Sequence, residues 1–230
     1  MSEPLRAGSM PTCIGIILDG NRRWAKEQGL PQLEGHRRGY LLLIKCVRWV
    51  RDRGTKHLVV YAFSTENWNR AKEEVSYFMN LLREAVESGL RDLAKENIRI
   101  RFIGTRERLA PELLRAIERL EKESAQNEFT LWVCLSYGSH AEIVAAAAEA
   151  AATGEPITEE SLHAHFWSAE MPDPDIIIRT GGEKRLSNFL LWQAAYSELF
   201  FIDQKWPAFT EKALDLILEE FAGRERRHGK

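Results

Sequence analysis

Leu58-Val59-Val60-Tyr61-Ala62-Phe63 carries no charge and no alternation of polar with apolar side chains. A strand with one wet face alternates at period two. A run that is apolar throughout reads as a strand covered on both faces. Ile176-Ile177-Ile178 has the same character. Working outward from these two, six short runs rich in β-branched residues emerge: residues 13–18, 57–63, 98–104, 129–137, 175–180 and 199–203. Helical patterns lie between them. Residues 73–95 carry Val75, Phe78, Met79, Leu82, Val86, Leu90 and Leu93, one apolar stripe at spacings of three and four. Residues 37–53, 106–123, 142–152 and 211–222 follow similar patterns. Strand–helix alternation predicts an α/β fold: one mostly parallel, six-stranded sheet flanked by helices, with right-handed crossovers. The 230 residues contain no Pro/Gly/Ser-rich linker. A single domain over 11–230 is therefore expected, behind a flexible tail at 1–10.

Composition excludes several classes. Basic and acidic residues nearly balance, 32 against 34, for a net charge of -2. No basic field for nucleic acid arises from that balance, so an anion site must come from local clustering of arginines. Cys13, Cys46 and Cys134 are odd in number, widely spaced and set in apolar segments. Buried, reduced thiols of a cytosolic protein are the expectation. No run approaches the ~18 apolar residues of a membrane span. The first dozen residues lack a signal-peptide core. The chain reads as soluble and cytoplasmic.

In an open parallel sheet, ligands bind beyond the carboxyl ends of the strands. The first strand is followed by Asp19-Gly20-Asn21-Arg22-Arg23-Trp24, and the second by Ser64-Thr65-Glu66-Asn67-Trp68-Asn69-Arg70. Gly138-Ser139-His140 follows the fourth. Arg179-Thr180-Gly181-Gly182-Glu183, with Arg185, Leu186, Ser187 and Asn188 behind, ends the fifth. These segments should converge on one edge. Gly20, Gly181 and Gly182 let backbone N–H groups approach an anion closely. Arg23, Arg70, Arg179 and Arg185 supply bidentate donors for phosphate oxygens, and a helix starting near Asn21 adds its dipole. A lone carboxylate, Asp19, among these cations suits Mg²⁺, which is held by one or two carboxylates plus substrate phosphates. Each segment alone is also an ordinary turn or loop, and Trp24 and Trp68 are equally readable as core residues. The six histidines show no zinc-ligand spacing.

Together the segments resemble the cis-prenyltransferases, the undecaprenyl diphosphate synthase family. The matching motifs are Asp19 to Ala25, Ser64 to Arg70, Ile178 to Glu183, and Ser187-Asn188-Phe189-Leu190-Leu191-Trp192-Gln193 running on to Leu199. Arg224-Glu225-Arg226-Arg227-His228-Gly229 matches as well. The resemblance runs from about Pro11 to the end. It implies a sheet with a hydrophobic tunnel, usually in a homodimer. The implied enzyme condenses isopentenyl diphosphate with an allylic diphosphate such as farnesyl or geranyl diphosphate. Its product is a Z-polyprenyl diphosphate such as undecaprenyl diphosphate, to be handed to the membrane.

By matching positions, Asp19 binds Mg²⁺ and aids departure of the allylic diphosphate. Gly20, Asn21, Arg22, Arg23, His36 and Arg70 line that diphosphate, with Trp24, Gln32, Ser64, Thr65, Glu66 and Trp68 nearby. Asn67 occupies the place of proton removal. Arg179, Arg185, Leu186 and Ser187 hold isopentenyl diphosphate. Glu198 is the second metal ligand, from the partner subunit or near the interface, and Arg227 and Gly229 close over the site.

Three departures stand out: Arg22 where the family often has Gly, Gln32 where it often has Arg, and Ser136-Tyr137-Gly138-Ser139-His140 where it has Asn-Tyr-Gly-Gly-Arg. Gln32, Ser139 and His140 keep open a short-chain or branched-product synthase of the same fold. A non-catalytic partner subunit is the other alternative, and Asp19, Asn67 and Arg185 argue against it. Val75, Phe78, Met79, Leu82, Val86 and Leu90, facing Leu131, Val133 and Leu135, are candidates for the tunnel wall or for ordinary core. Trp132 is a candidate for shortening the tunnel.

Overall fold

The two all-apolar runs become neighbours of one central strand. In a computed structural model, which describes residues 10–154 and 156–224, β1 (Cys13–Ile17) lies between β2 (His57–Ser64) and β5 (Ile176–Arg179). With β3 (Ile98–Ile103), β4 (Phe129–Tyr137) and β6 (Glu198–Phe201) they form a six-stranded sheet in the order β3-β4-β2-β1-β5-β6. Every pairing is parallel. All nine residues of β4 are buried, as a strand covered on both faces requires.

The helices are α1 (Asn21–Glu27), α2 (Gln32–Asp52), α3 (Lys72–Glu87), α4 (Gly89–Lys95), α5 (Pro111–Glu123), α6 (Ser139–Thr153), α7 (Glu159–Ala164) and α8 (Glu211–Ala222). The sequence predicts one helix over 73–95. The structure breaks it at Ser88, whose φ of -127° and ψ of -87° are not helical. The Ser88 hydroxyl there donates to the Glu84 carbonyl at 2.6 Å. The proposed tail at 1–10 lies, apart from Met10, outside the described residues, as do Arg227 and Gly229.

Alternation along β4 splits the core between the two faces. Leu131, Val133 and Leu135 join one cluster with residues from α2, α3, α4, α5 and α8. Trp132 and Cys134 point the other way, into a cluster with Cys13, Tyr137, Ile177 and Phe189. Trp132 is therefore behind the sheet and has no part in shaping a cavity on the front. All three cysteines are free and buried.

A buried polar knot stiffens the rear face. Glu142 accepts from the Tyr137 hydroxyl at 2.6 Å, the Ser168 N–H at 2.9 Å and the Gln193 side-chain amide at 3.0 Å. Three donors on one carboxylate satisfy it away from water. They tie the end of β4 to the segment behind Ser187. No helix among the described residues is long and apolar enough to cross a membrane.

Candidate active site

Ile17 pairs in register with Arg179, so the chain beyond β1 and the end of β5 reach the same sheet edge. Gly20, at φ 98°, turns the chain directly into α1. A side chain there is barred by both the left-handed backbone and Lys205. This turn presents Asp19 to Arg179. Asp19 Oδ2 accepts from Arg179 Nη2 at 2.8 Å, and Oδ1 accepts from the Gly20 N–H at 2.5 Å. Oδ1 also lies 3.3 Å from Arg23 Nη2. Burial opposes the charge on Asp19. The Arg179 hydrogen bond and charge, with Gly20 and Arg23, outweigh burial and hold the carboxyl below its usual range. Asp19 is thus ionised at neutral pH.

Arg179 is only 4% exposed. Its Nη1 donates to Ser187 Oγ at 2.7 Å and to the Arg185 carbonyl at 2.5 Å. Its Nε is buried with no partner among the described residues. The 185–190 segment takes an uncommon path: Ser187, Asn188 and Leu190 have φ of 51°, 65° and 46°. For residues with side chains this conformation carries strain, and surrounding bonds must hold it. Asn188 supplies them. Its Nδ2 donates to Glu66 Oε1 at 2.8 Å, its Oδ1 accepts from the His140 N–H at 2.9 Å, and its carbonyl accepts from the Ser139 N–H at 2.9 Å. The ends of β2, β4 and β5 therefore converge as the sequence predicts.

β2 continues into a short 3₁₀ turn, Thr65–Asn69. Ser64 and Asn67 cap each other reciprocally: the Asn67 N–H donates to Ser64 Oγ, and the Ser64 N–H donates to Asn67 Oδ1, both at 3.2 Å. With its oxygen committed to the backbone, Asn67 has its NH₂ left, a donor without a partner among the described residues. Trp68 donates to Ser136 Oγ at 2.8 Å, and the Arg108 guanidinium lies 4.5 Å from its ring centroid.

The first turn of α3 carries a residue that sequence reasoning missed. Glu74 gathers Arg70 at 2.9 Å, His36 Nε2 at 3.3 Å and Arg22 at 3.3 Å. In the sequence it is one more acid on a helix surface, and only its four-residue spacing from Arg70 hinted at a pairing. Burial, with Arg70 and Arg22 beside it, outweighs Glu74 and holds the His36 imidazole below the usual histidine range. Glu74→Gln should loosen all three groups and weaken binding of a diphosphate anion at this corner of the site about tenfold. That factor corresponds to ~1.4 kcal/mol, near the worth of one charge-assisted hydrogen bond. Titration with inorganic pyrophosphate checks it, and unchanged or tighter binding rejects the organising role.

Both groups open onto one cavity of about 350 Å³. Asp19, Asn21, His36, Ser64, Asn67, Arg70, Arg179, Arg185 and Ser187 line its polar part. Leu43, Phe78, Leu81, Leu82, Ala85, Leu90 and Val133 line its apolar part. The wall therefore differs from the one predicted. Phe78, Leu82, Leu90 and Val133 face the cavity, whereas Val75, Met79, Val86, Leu131 and Leu135 pack in the surrounding core. Leu81 and Ala85 take their place because helical phase turns that face of α3 inward.

Trp24 and Gln32 stand outside the lining, and Leu186 packs against the rear cluster. Thr65 bonds its neighbour Glu66 at 3.2 Å. Glu198 pairs with Ile176 at the start of the strands, three register steps from Arg179, or ~10 Å at strand rise. It is ion-paired with Arg224. Within one chain the structure does not bring Glu198 to Asp19.

Charge at the mouth is unbalanced. Arg22, Arg23, Arg70, Arg179 and Arg185 face four carboxylates, Asp19, Glu66, Glu74 and Glu183. The surplus suits a polyanion. A hard divalent cation also fits: one ionised carboxylate stands beside a place for phosphate oxygens. Among the described residues no group of three or more His, Cys, Asp or Glu offers an all-protein metal cage.

The family model described as "Putative undecaprenyl diphosphate synthase" matches residues 17–229. An isoprenyl transferase of Neisseria gonorrhoeae is 44% identical over 224 residues, covering 96% of this chain and 90% of the relative. One of Thermotoga maritima is 41% identical over 226 residues, covering 96% and 97%. Among solved structures, lavandulyl diphosphate synthase from Lavandula x intermedia, in complex with dimethylallyl diphosphate, superposes with a TM-score of 0.93. It is 33% identical, with coverage of 97% of this chain and 100% of that one. A probable undecaprenyl diphosphate synthase from Campylobacter jejuni gives a TM-score of 0.82 at 30% identity, covering 96% and 99%.

Proposed function

The chain belongs to the undecaprenyl diphosphate synthase family and is a cis-prenyltransferase, and from that premise we propose its substrates and the work of its residues. The substrates are isopentenyl diphosphate and an allylic diphosphate, farnesyl or geranyl. The product is a Z-polyprenyl diphosphate such as undecaprenyl diphosphate. The observation that carries this reading is the single cavity with an arginine-rich mouth and an aliphatic interior, complementary to a diphosphate with a hydrocarbon tail.

In this reading Arg22, Arg23, His36 and Arg70, with the backbone at Gly20 and Asn21, receive the allylic diphosphate. Arg179, Arg185 and Ser187 receive isopentenyl diphosphate. Mg²⁺, held by Asp19 and the phosphates, would supply Lewis-acid stabilisation of the leaving group. The arginines offset the negative charge that grows as the allylic C–O bond breaks. Both substrates sit on fixed strand ends, so orientation contributes on the order of 7–11 kcal/mol. The apolar walls keep water from the allylic cation. The isopentenyl double bond attacks the allylic cation, forming the new carbon–carbon bond and leaving a cation on the isopentenyl unit; a proton lost from the adjacent carbon then gives the new double bond. Asn67, presenting an NH₂, orients rather than accepts, so a water or a diphosphate oxygen takes the proton.

The same proposal includes cytoplasmic placement and a homodimer. Leu191, Leu199 and Val144 are exposed, and Leu199 belongs to the edge strand that begins with Glu198. Pairing along that edge would offer Glu198 to the partner's site. A second reading, a short or branched product from dimethylallyl diphosphate, is favoured by the likeness to the lavender enzyme and by Ser139 and His140.

One experiment decides between them. Purified protein is given isopentenyl diphosphate with dimethylallyl, geranyl or farnesyl diphosphate, with Mg²⁺ or with a chelator, and products are separated by chromatography. Long Z-chains from farnesyl or geranyl diphosphate, made only with Mg²⁺, are expected. Products confined to dimethylallyl condensation would establish the second reading, and full turnover under chelation would reject the metal.

A further inference from the structure

Tyr40 lies one helical turn beyond His36 on the same face of α2, inward of the charged mouth, and it lines the cavity. Its hydroxyl crosses to the break between α3 and α4. Burial pushes the phenol up from its ordinary range, and contacts with the Ser88 side chain and the Gly89 amide draw it partly back. Gly89 begins α4, where any side chain would collide with the Tyr40 hydroxyl oxygen. A methyl there would also stand 3.2 Å from Tyr40 Cζ, yet a comfortable 3.4 Å from Ile44 Cδ1. The glycine is thus a notch that receives the phenol. The other groups facing this part of the cavity are aliphatic: Leu43, Leu81, Leu82, Ala85 and Leu90.

We propose that Tyr40, seated in the Gly89 notch, is a specificity-determining residue that limits how far a prenyl tail enters and so how many five-carbon units are added. This rests on the cis-prenyltransferase reading of the cavity. The phenol reaches from α2 to the start of α4, across the path of an entering chain, whereas a leucine on α3 spans less of it. The phenol group is slightly larger than one isoprene unit, so removing it makes room for at least one more.

The test is the product distribution from geranyl diphosphate and labelled isopentenyl diphosphate, resolved by reversed-phase chromatography. Tyr40→Ala should extend the dominant product by one or more five-carbon units. Tyr40→Leu serves if the alanine variant folds poorly. Tyr40→Phe, which keeps the ring, should leave the distribution in place. Gly89→Ala should shorten the product, because the added methyl drives the flexible end of Tyr40 back into the cavity. In the Tyr40→Ala background Gly89→Ala should then have no effect. An unchanged distribution in Tyr40→Ala and Tyr40→Leu, or a Gly89→Ala shortening that persists without the phenol, overturns the proposal. Elongation that ignores Tyr40 leaves the enzyme's assigned reaction intact. Absence of any elongation by the native chain defeats that reaction itself.

Discussion

Asp19→Asn should keep the fold and lose at least about a hundredfold in kcat, and Asp19→Ala should lose more. The asparagine retains an oxygen for Arg179 Nη2, so the 2.8 Å bond survives in kind, whereas the charge does not. A cation beside the substrate phosphates then has no anionic protein ligand. Removing one preorganised electrostatic group from an active centre costs roughly 10²–10³ in rate. Asp19→Ala also strips the partner from a guanidinium that is only 4% exposed, and an uncompensated buried charge destabilises. Thermal melts of both variants beside the rate measurement separate the two losses. A folded Asp19→Asn protein with native turnover at saturating Mg²⁺ would remove Asp19 from the metal.

Arg179→Ala should raise KM for isopentenyl diphosphate by about 10–100-fold, the span expected for a lost charge-assisted hydrogen bond, and raise KM for the allylic substrate far less. Equal rises in the two constants would reject the assignment of Arg179 to isopentenyl diphosphate. Lysine should rescue only in part, since an ammonium cannot span Asp19, Ser187 and the Arg185 carbonyl at once.

A second signature follows from Asp19, whose carboxyl is held below the usual range chiefly by Arg179 acting against burial. A depressed carboxyl keeps its charge until the pH falls through its lowered pKa. Activity that needs the charge therefore fails only at strongly acid pH in the native enzyme. Without Arg179, burial acts unopposed by that partner, and the acid limb of the pH–rate profile should move to higher pH. A limb that stays in place would mean that Arg179 does not set the state of Asp19.

The sheet and its working edge could be read from residue order because apolar strands leave a plain signature and a parallel topology sends every strand's carboxyl end to one side. Asp19, Asn67, Arg179 and Ser187 were legible for that reason. The break at Ser88 was not, since Val86 and Leu90 continue the apolar spacing across it. What interrupts the helix is partly local, a Ser88-Gly89 pair whose serine bonds the preceding turn, and partly tertiary, a tyrosine arriving from another helix. Glu74 was hidden for a similar reason, because an acid on a helix acquires meaning only when Arg22 and His36 arrive from elsewhere in the chain. α7 escaped notice because six mostly polar residues give too little periodicity. The separation of Glu198 from Asp19 depends on register, which a list of motifs does not carry.

Arg179 joins the two halves of the mouth through its hydrogen bonds to Asp19 on one side and to Ser187 and the Arg185 carbonyl on the other. If those halves hold different diphosphates, neither can fill without changing what the shared guanidinium offers the other. Such linkage is reciprocal: whatever factor one substrate imposes on the affinity of its companion is returned unchanged. Occupancy of the two halves of the mouth would then be coupled rather than independent.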